Sequence, residues 1–405
     1  MKILHFADLH IGHENYGKID ERSGLNTRLL DFLKAFDFII NYALSHQIDL
    51  VIFAGDAYKT RDPSPTYQRE FGRRLKKIAE KIPVVLITGN HDIPPSFGKA
   101  DTLEIFPILA VPNVYVFSKP TVSVIPVTRN QTPVTIAALP WLSRSMLLKE
   151  NERKKSIDET RKILSQRLDE TFSNLVSKIK IDKPAIAICH QSVTEAVFGA
   201  NQDTYAGSDP LLSLEVLKNK KLSYVALGHL HKFQVLAENP PIIYPGSPER
   251  LDFGEEQDEK GFIVAEINEK KLKKTKWHFV ILPARKFITL NIEINKEKKN
   301  PSQYVVDEIK KAKIKNAIVR INIRGEDSVL VKILESDLKK ATSTAYFVAS
   351  ISKKSEKKII KLEIEKEHLV PIDWLKKFME MKKFDQKEQN KLNEAAEELI
   401  EELDG

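Results

Sequence analysis

Five short apolar segments of this sequence each end abruptly in polar side chains. The clearest is residues 84–92, VVLITGNHD, in which apolar residues stop at Gly89 and are followed by an amide, an imidazole and a carboxylate. Strands that are apolar along their whole length belong to sheets covered on both faces, and ligands of such folds bind outside the carboxyl ends of the strands. A Gly-Asn pair is also common in simple turns, but the repetition of this ending favours a functional site.

Histidine is concentrated at these strand ends. The chain has ten histidines, and the five that do not follow an apolar segment are interpreted as ordinary polar residues: His5, His13, His46, His278 and His368. The candidate site residues are the acids, the amide and the imidazoles at the strand ends: Asp8, His10, Asp56, Asn90, His91, His190, His229 and His231. Oxygen and imidazole donors without thiolate favour Mn, Fe or Zn in a mixed site over a structural zinc centre.

The number of candidate ligands indicates two metal ions. Seven ligands exceed the three or four protein groups that one catalytic ion takes, whereas a shared carboxylate lets them serve two ions roughly 3.5 to 4 Å apart. Asp56 lies in the middle of the set and is the natural bridge. Such a pair of ions would bind a phosphate oxygen and activate a bridging water, so the predicted reaction is phosphoester hydrolysis.

Length and composition limit the class of protein. At 405 residues the chain exceeds what one hydrophobic core usually supports, so two or three domains are expected. No apolar run approaches the roughly 18 residues of a membrane span, and the single cysteine, Cys189, excludes a disulfide framework. We therefore expect a cytoplasmic protein with no membrane partner. The net charge of +8 permits binding to DNA or RNA without requiring it.

Five ordered motifs resemble those of a known family. They are Asp8-Leu9-His10, Gly55-Asp56, Gly89 to Asp92, Cys189-His190 and Gly228 to His231, and together they resemble the calcineurin-like metallophosphoesterase superfamily. Within it the chain is similar to the SbcD exonuclease subunit family of prokaryotic DNA double-strand-break repair. The narrower resemblance rests on HFADLHIG near the start, RDPSP after Gly55-Asp56, YPGSPERLDFGEE at 244–256 and LPARKF at 282–287.

The resemblance implies a role for each site residue. One Mn²⁺ ion would be held by Asp8, His10, Asp56 and His231, and the other by Asp56, Asn90, His190 and His229. Mg²⁺ or another divalent ion is the alternative. His91 would be catalytic without binding metal, and would stabilise the transition state or protonate the leaving 3′ oxygen. Asp92 would fix the His91 tautomer or shape the turn, and Lys59, where relatives often have a histidine or an acid, would contact a phosphate.

The implied fold is α/β, a four-layer metallophosphoesterase sandwich of two β-sheets flanked by helices, with a small α/β capping domain and a C-terminal helical region. The expected domains are 1–284 for the nuclease, 285–352 for the DNA cap and 353–405 for a linker and helix–loop–helix. The last would bind an SbcC-type ABC ATPase with a coiled coil, through Trp374, Leu375, Phe378 and Met381. Those four residues could instead pack on their own chain. The expected assembly is a homodimer that acts on DNA ends at the nucleoid.

Three functions remain open at this point. The first is a Mn-dependent DNA nuclease, exonucleolytic on double strands and endonucleolytic on single strands or hairpins, that works in DNA repair and recombination. The second keeps the metals but cleaves nucleotides or phosphoproteins, and the core motifs do not separate it from the first. The third is a non-catalytic DNA-end tether, although no structural need explains imidazoles at the strand ends. The residues after the core favour the nuclease, since a small-molecule phosphodiesterase needs no DNA cap.

Overall fold

The structure is a computed structural model, and it describes residues 1–94, 99–127, 132–152, 155–180, 182–199, 209–268, 274–355, 375, 379 and 385–404. The chain divides into two compact units, Met1–Ser355 and Glu356–Gly405. Within the described part of the chain, no helix combines the length and the apolar character that crossing a bilayer requires.

The first unit contains two six-stranded sheets. The first sheet consists of β1 (Lys2–Phe6), β2 (Leu50–Phe53), β3 (Val84–Ile87), β4 (Val114–Phe117), β13 (Gly261–Glu266) and β14 (Lys276–Ile281). Its order is β14-β13-β1-β2-β3-β4, and β1 to β4 run parallel. The second sheet consists of β5 (Thr121–Ile125), β6 (Val134–Leu139), β7 (Ala185–His190), β10 (Tyr224–Gly228), β11 (Gln234–Glu238) and β12 (Pro241–Tyr244). Its order is β11-β12-β10-β7-β6-β5, with the four central strands parallel.

Helices cover the outer face of each sheet. The larger ones are α1 (Thr27–Ser45), α2 (Pro65–Ala79) and α5 (Ile157–Ser177), and the short ones are α3 (Ile105–Ile108), α4 (Arg144–Leu147) and α6 (Leu214–Leu217). A short parallel pair, β8 (Ser192–Val193) and β9 (Leu211–Leu212), and two 3-10 turns, Glu150–Glu152 and Phe253–Glu255, complete this part. Helix α1 starts after Asn26, whose side chain accepts a hydrogen bond from the Arg28 amide at 2.8 Å. The start of α5 is fixed by a capping box between Ser156 and Glu159.

The two sheets pack face to face, and alternate residues of each strand enter different cores. On β2, Leu50 and Ile52 lie between the sheets against residues such as Ile186. Val51 and Phe53 point the other way, into a core shared with α1 and α2. A third core lies between the second sheet and α5. Both faces of each sheet are therefore covered, which explains the uniformly apolar strands and confirms the predicted four-layer sandwich.

A third sheet follows the sandwich within the same unit. It is fully parallel, in the order β15 (Phe287–Ile294), β16 (Ile318–Gly325) and β17 (Phe347–Ser355). One face packs on α7 (Pro301–Lys311), α8 (Asp327–Leu330) and α9 (Glu335–Ala341) around its own hydrophobic core. We call residues 287–355 the cap. In the second unit the structure gives the bounds of helix α10 (Gln386–Asp404).

The sequence pattern across residues 328–341 predicts one helix, and this prediction is wrong, because two helices form there. The backbone is extended at Leu334, and its amide donates to the Ser302 hydroxyl of α7 at 3.2 Å. This break lets both Ile333 and Leu338 be buried in the cap core. Tertiary packing has overridden a continuous helical pattern.

Replacing Leu168 with alanine tests the packing of α5 on the second sheet. Leu168 is 0% exposed in that core, so Leu168→Ala should lower the free energy of unfolding by about 2–5 kcal/mol, as measured by urea denaturation. The matched control on the same helix is Ile157→Ala, because Ile157 is 73% exposed. The control should stay within about 0.5 kcal/mol of the unchanged protein. Equal effects of the two substitutions would contradict this packing.

Candidate metal centre

The carboxyl ends of five strands meet at one edge of the sandwich. In the first sheet the loop after β1 is tied to the loop after β2, because the Asp8 amide donates to the Gly55 carbonyl at 3.0 Å. In the second sheet β7 and β10 are parallel neighbours that pair His190 with Gly228. The two sheets are joined directly, since His190 Nδ1 lies 2.6 Å from the carbonyl oxygen of Ala54. Residues far apart in sequence thus share one site.

Four of the predicted ligands have a left-handed backbone. The φ angles are 55° for Asp8, 45° for His10, 60° for Asp56 and 98° for His229. Such conformations cost on the order of 1–3 kcal/mol each and persist only where surrounding contacts hold them, typically at functional sites. Here the contacts are backbone hydrogen bonds, such as that from the His10 amide to the Asp56 carbonyl at 3.1 Å. The turns aim successive polar side chains into the site at the expense of local stability.

One group of donor atoms surrounds His10. Its Nε2 lies 3.0 Å from Nε2 of His231 and 3.6 Å from Oδ2 of Asp56. Donor atoms of Asp8, His10 and His231 all lie within 4.8 Å of one another. Asp8 is fully buried and both its carboxylate oxygens accept from the His229 amide, at 3.0 and 3.1 Å. This group contains all four residues predicted for the first ion.

A second group surrounds Asn90. Its Oδ1 lies 3.2 Å from Nε2 of His190 and 3.0 Å from Nδ1 of His229. His190 Nε2 is also 3.5 Å from Oδ2 of Asp56. The same Asp56 oxygen is therefore near both groups, and the structure brings together all seven predicted ligands around it.

Two glycines make this close approach of the loops feasible. A Cβ on Gly89 would lie 2.1 Å from Oδ1 of Asp56, and a Cβ on Gly228 would lie 2.0 Å from the Ala54 carbonyl oxygen. Neither neighbour can move away, because one is a buried site carboxylate and the other is backbone. Glycine at both positions is thus required by the site and not by turn conformation alone.

His91 lies beside the first group without joining the second. Its ring is 5.0 Å from that of His10, edge to face. Nδ1 of His91 donates to the Lys59 carbonyl at 2.8 Å, and its amide donates to Oδ1 of Asp56 at 2.9 Å. Since a carbonyl only accepts, Nδ1 carries the proton and Nε2 is the reactive nitrogen of the neutral ring. Lys59 therefore supports His91 through its backbone.

Asp92 shapes the loops and does not contact the His91 imidazole. Its Oδ2 accepts from the amides of Asp56 and Gly89, both at 2.9 Å, and its Oδ1 accepts from the Ala57 amide at 3.1 Å and the Thr102 hydroxyl at 3.2 Å. Of the two roles considered for Asp92, these bonds match the shaping of the turn. The tautomer of His91 is set by the Lys59 carbonyl instead.

Burial raises the pKa of Asp8 to about 7, with the imidazoles of His190 and His231 acting against it. Burial also acts to raise the pKa of Asp56, but His190, His91 and His10 outweigh it and hold the value well below its usual range. For His10, burial lowers the pKa well below its usual value, so its ring is neutral, which is the form that binds a metal. Buried carboxylates that face the neutral ring of His10 favour a bound cation.

Three further residues complete the site, and the sequence did not single them out. Glu255 lies 3.0 Å from Nδ1 of His231, and Asp209 lies 3.2 Å from Nε2 of His229. The ring of Trp141 packs on that of His229 at 4.9 Å. Glu255 falls in the YPGSPERLDFGEE stretch, which was the only sequence signal for it, and nothing marked the other two. A cavity of about 400 Å³ opens over these groups, with His91 and Arg61 in its wall.

The donor chemistry fits two divalent ions. Nδ1 of His190 donates to a carbonyl, while Nδ1 of His231 and Nε2 of His229 face carboxylates. The opposite nitrogen of each ring therefore presents a lone pair, toward Asn90 for His190 and His229 and toward His10 for His231. Lone pairs and carboxylate oxygens that converge in a buried space repel one another unless a cation lies between them. No thiolate takes part, because Cys189 is buried in a hydrophobic core.

The predicted partner-binding residues lie mostly outside the described part of the chain. Trp374, Phe378 and Met381 are not described, and of the four only Leu375 is, as a half-buried helical residue. Met379, which was not predicted, is buried. The interface prediction for this segment therefore stays a prediction.

Comparison with known proteins places the first part of the chain in one family. Residues 1–233 match the calcineurin-like phosphoesterase family. The SbcD component of the SbcCD nuclease of Bacillus subtilis is 25% identical over 395 residues, which cover 94% of this chain and 93% of that protein. The corresponding SbcD protein of Escherichia coli K12 is 26% identical over 63% of this chain and 62% of its own length.

An archaeal protein and a solved structure are also similar to part of the chain. The DNA double-strand break repair protein Mre11 of Archaeoglobus fulgidus is 28% identical over 63% of this chain and 52% of its own length. The chain thus spans less than two thirds of this protein and of the Escherichia coli relative. A dimetal phosphatase from Danio rerio superposes with a TM-score of 0.40 at 11% identity, covering 68% of this chain and 98% of that one.

Replacing Asp92 with asparagine tests its role as a clamp. In either orientation the new amide NH₂ would face a backbone N–H that now donates to Asp92. The free energy of unfolding should fall by about 1–3 kcal/mol for each donor left unsatisfied, as measured by urea denaturation. The experiment is done at pH 8, because burial and the nearby Asp56 raise the pKa of Asp92 to about 7. The control Asp182→Asn changes an exposed acid, and an equally small effect of both would contradict the clamp.

Proposed function

The chain belongs to the calcineurin-like phosphoesterase family, and from that premise we propose that it is a DNA nuclease that hydrolyses phosphodiester bonds with two divalent metal ions. The observation that carries this proposal is the position of Asp56. One oxygen of its buried carboxylate lies 3.6 Å from His10 and 3.5 Å from His190, which belong to different donor groups. A carboxylate shared in this way is what a two-ion site needs.

Seven residues would hold the two ions. Asp8, His10, Asp56 and His231 would bind one, and Asp56, Asn90, His190 and His229 the other. The ions are proposed to be Mn²⁺, since oxygen and imidazole donors suit it. When bound, they would polarise the phosphate and lower the pKa of a water.

His91 acts next to the ions as an acid or an electrostatic group. Its Nδ1 proton is held by the Lys59 carbonyl, so Nε2 is the atom available to the substrate. As a half-buried residue in the cavity wall, it can reach a phosphate oxygen or the leaving 3′ oxygen. A protonated Nε2 would donate to the charge that develops there.

DNA is the proposed substrate, and two observations support it. The relatives reported above are named as components of a nuclease and as a DNA repair protein. The solvent face of the cap sheet is polar, with a ladder of hydrogen bonds in which Ser352 donates to Asn322 and Asn322 donates to Asn291. Beside it, Arg324 of β16 and Lys354 of β17 are exposed at paired positions. Adjacent cations on a flat polar surface suit a phosphate backbone.

An ATPase and a second copy of the chain are the proposed partners. The first partner is an SbcC-type ABC ATPase, which is supported by the relatives named as components of the SbcCD nuclease. The proposed contact residues are Trp374, Leu375, Phe378 and Met381. For the homodimer, the end of α3 is the candidate contact, because Ile105, Ile108 and Leu109 are 48%, 69% and 65% exposed. We expect the complex to act on DNA ends in the cytoplasm, at the nucleoid.

Replacing His91 with alanine tests its catalytic role. His91→Ala should lower nuclease activity by at least about 10²-fold, the usual scale for a positioned acid–base group. Both ions should still bind, since His91 is not a proposed ligand. The assay is the degradation of an end-labelled duplex with Mn²⁺, with ion binding measured by calorimetry. The matched control is His13→Ala, another histidine in the cavity wall that has no proposed role. Full activity of the His91 variant would rule out the assignment.

A double substitution tests the ATPase contact. Trp374→Ala with Phe378→Ala removes two large apolar side chains, so the tagged nuclease should no longer co-purify with an SbcC-type ATPase. Cleavage of single-stranded DNA by the nuclease alone should be unchanged, because the metal site is elsewhere in the sequence. The control pair Met146→Ala with Ile157→Ala removes two exposed apolar side chains outside that segment and should leave the complex intact. An undiminished complex would refute the assignment.

A further inference from the structure

Glu255 lies beside His231, one of the proposed metal ligands, and has no role in the proposed function described above. It is buried, and one carboxylate oxygen, Oε1, lies 3.0 Å from Nδ1 of His231. The other oxygen, Oε2, lies 2.7 Å from the Lys260 ammonium and accepts from the Leu251 amide at 3.1 Å. Each oxygen is thus committed to a different partner, and the carboxylate has no freedom to rotate away from the imidazole.

Lys260 makes the arrangement rigid. Its side chain is almost fully buried, at 1% exposure, and its ammonium also donates to the Ser247 hydroxyl at 2.9 Å and to the His231 carbonyl at 3.0 Å. Lys260 therefore holds both the carboxylate and the backbone of the histidine that the carboxylate contacts. A buried charge pair with this many partners is costly to form and is retained where it fixes a particular geometry.

The same short turn is attached to the cap. Glu256, next to Glu255, accepts from the amide and the hydroxyl of Thr289, at 2.8 and 2.6 Å. Thr289 lies on β15, the first strand of the cap. Phe253, two residues before Glu255, contacts Phe287 of β15 at 5.0 Å between ring centroids and stacks under the Arg320 guanidinium at 4.3 Å. Residues 253–256, here called the brace turn, thus contact the metal centre with one side chain and the cap with two.

We propose that Glu255 is a positioning residue for His231, and that the cap strand β15 braces the turn that carries it. This inference rests on the proposed function, because it takes His231 as a ligand of the first ion. By accepting a hydrogen bond from the Nδ1–H group, Glu255 selects the tautomer whose Nε2 lone pair faces Nε2 of His10. The cap then contributes to metal affinity without providing a ligand.

The substitution that tests the positioning role is Glu255→Gln, which keeps the shape of the side chain. Lys260 would attract the amide oxygen, so the NH₂ group would face Nδ1 of His231. The ring would then favour the tautomer protonated at Nε2, which cannot bind a metal. With the full-length protein and Mn²⁺ alone in a calorimeter, one of two binding events should weaken by about 10–100-fold. The other event should be unchanged, because only one ion is assigned to His231.

Two comparisons make this result interpretable. Glu266→Gln, which alters an exposed glutamate on β13, should leave both binding events unchanged. His231→Ala should weaken the same event as Glu255→Gln. If His231→Ala changes neither event, the proposed metal centre is wrong. If it weakens one event while Glu255→Gln changes neither or weakens both equally, the positioning role alone is overturned.

The brace is tested separately by Thr289→Val, which removes the hydroxyl that Glu256 holds while keeping the branched shape of the strand residue. It should weaken the same Mn²⁺ binding event as Glu255→Gln, by a smaller factor. The metal-free variant should keep its thermal midpoint to within a few degrees, since the two lost hydrogen bonds, one to Glu256 and one from Arg320, are worth about 1 kcal/mol each. Unchanged binding of both ions would overturn the bracing part of the proposal.

Discussion

The buried carboxylate of Asp56 is the group on which the rest of the site depends. It lies at the end of a strand in the first sheet, yet its oxygen is 3.5 Å from His190 of the second sheet. Burial alone would raise its pKa, and the surrounding imidazoles reverse that effect. The left-handed backbone at Asp56 and the missing Cβ at Gly89 are both needed to place it there. The four-layer sandwich is what brings the two sets of strand ends together.

The covered sheets and the candidate ligands could be predicted from the residues for one physical reason, whereas the four-layer sandwich was an expectation from the family resemblance. A strand such as β3, Val84–Ile87, is apolar on both faces because it is covered on both faces. The hydrophobic core does not need polar residues directly after such a strand, so their presence indicates a functional site. The groups at Asn90 and His190 could be named in this way although they are separated by a hundred residues in the chain.

The supporting contacts could not be predicted in the same way. Glu255 and Asp209 follow no apolar strand, and their role depends on which imidazole nitrogen the fold brings near them. Lys59 supports His91 through a carbonyl oxygen, which every residue has, so its identity carries no signal. The break at Leu334 depends on packing against α7. Each of these features is set by tertiary contacts between segments distant in sequence, whereas the ligands are marked by their local pattern.

The central claim is that Asp56 is shared by two ions. The most direct measurement is a crystal structure of the protein soaked with Mn²⁺, with the ions located by anomalous scattering. The account predicts two peaks roughly 3.5 to 4 Å apart, both in contact with Asp56, one beside His10 and His231 and the other beside His190 and His229. A single peak, or two peaks of which only one contacts Asp56, would contradict it.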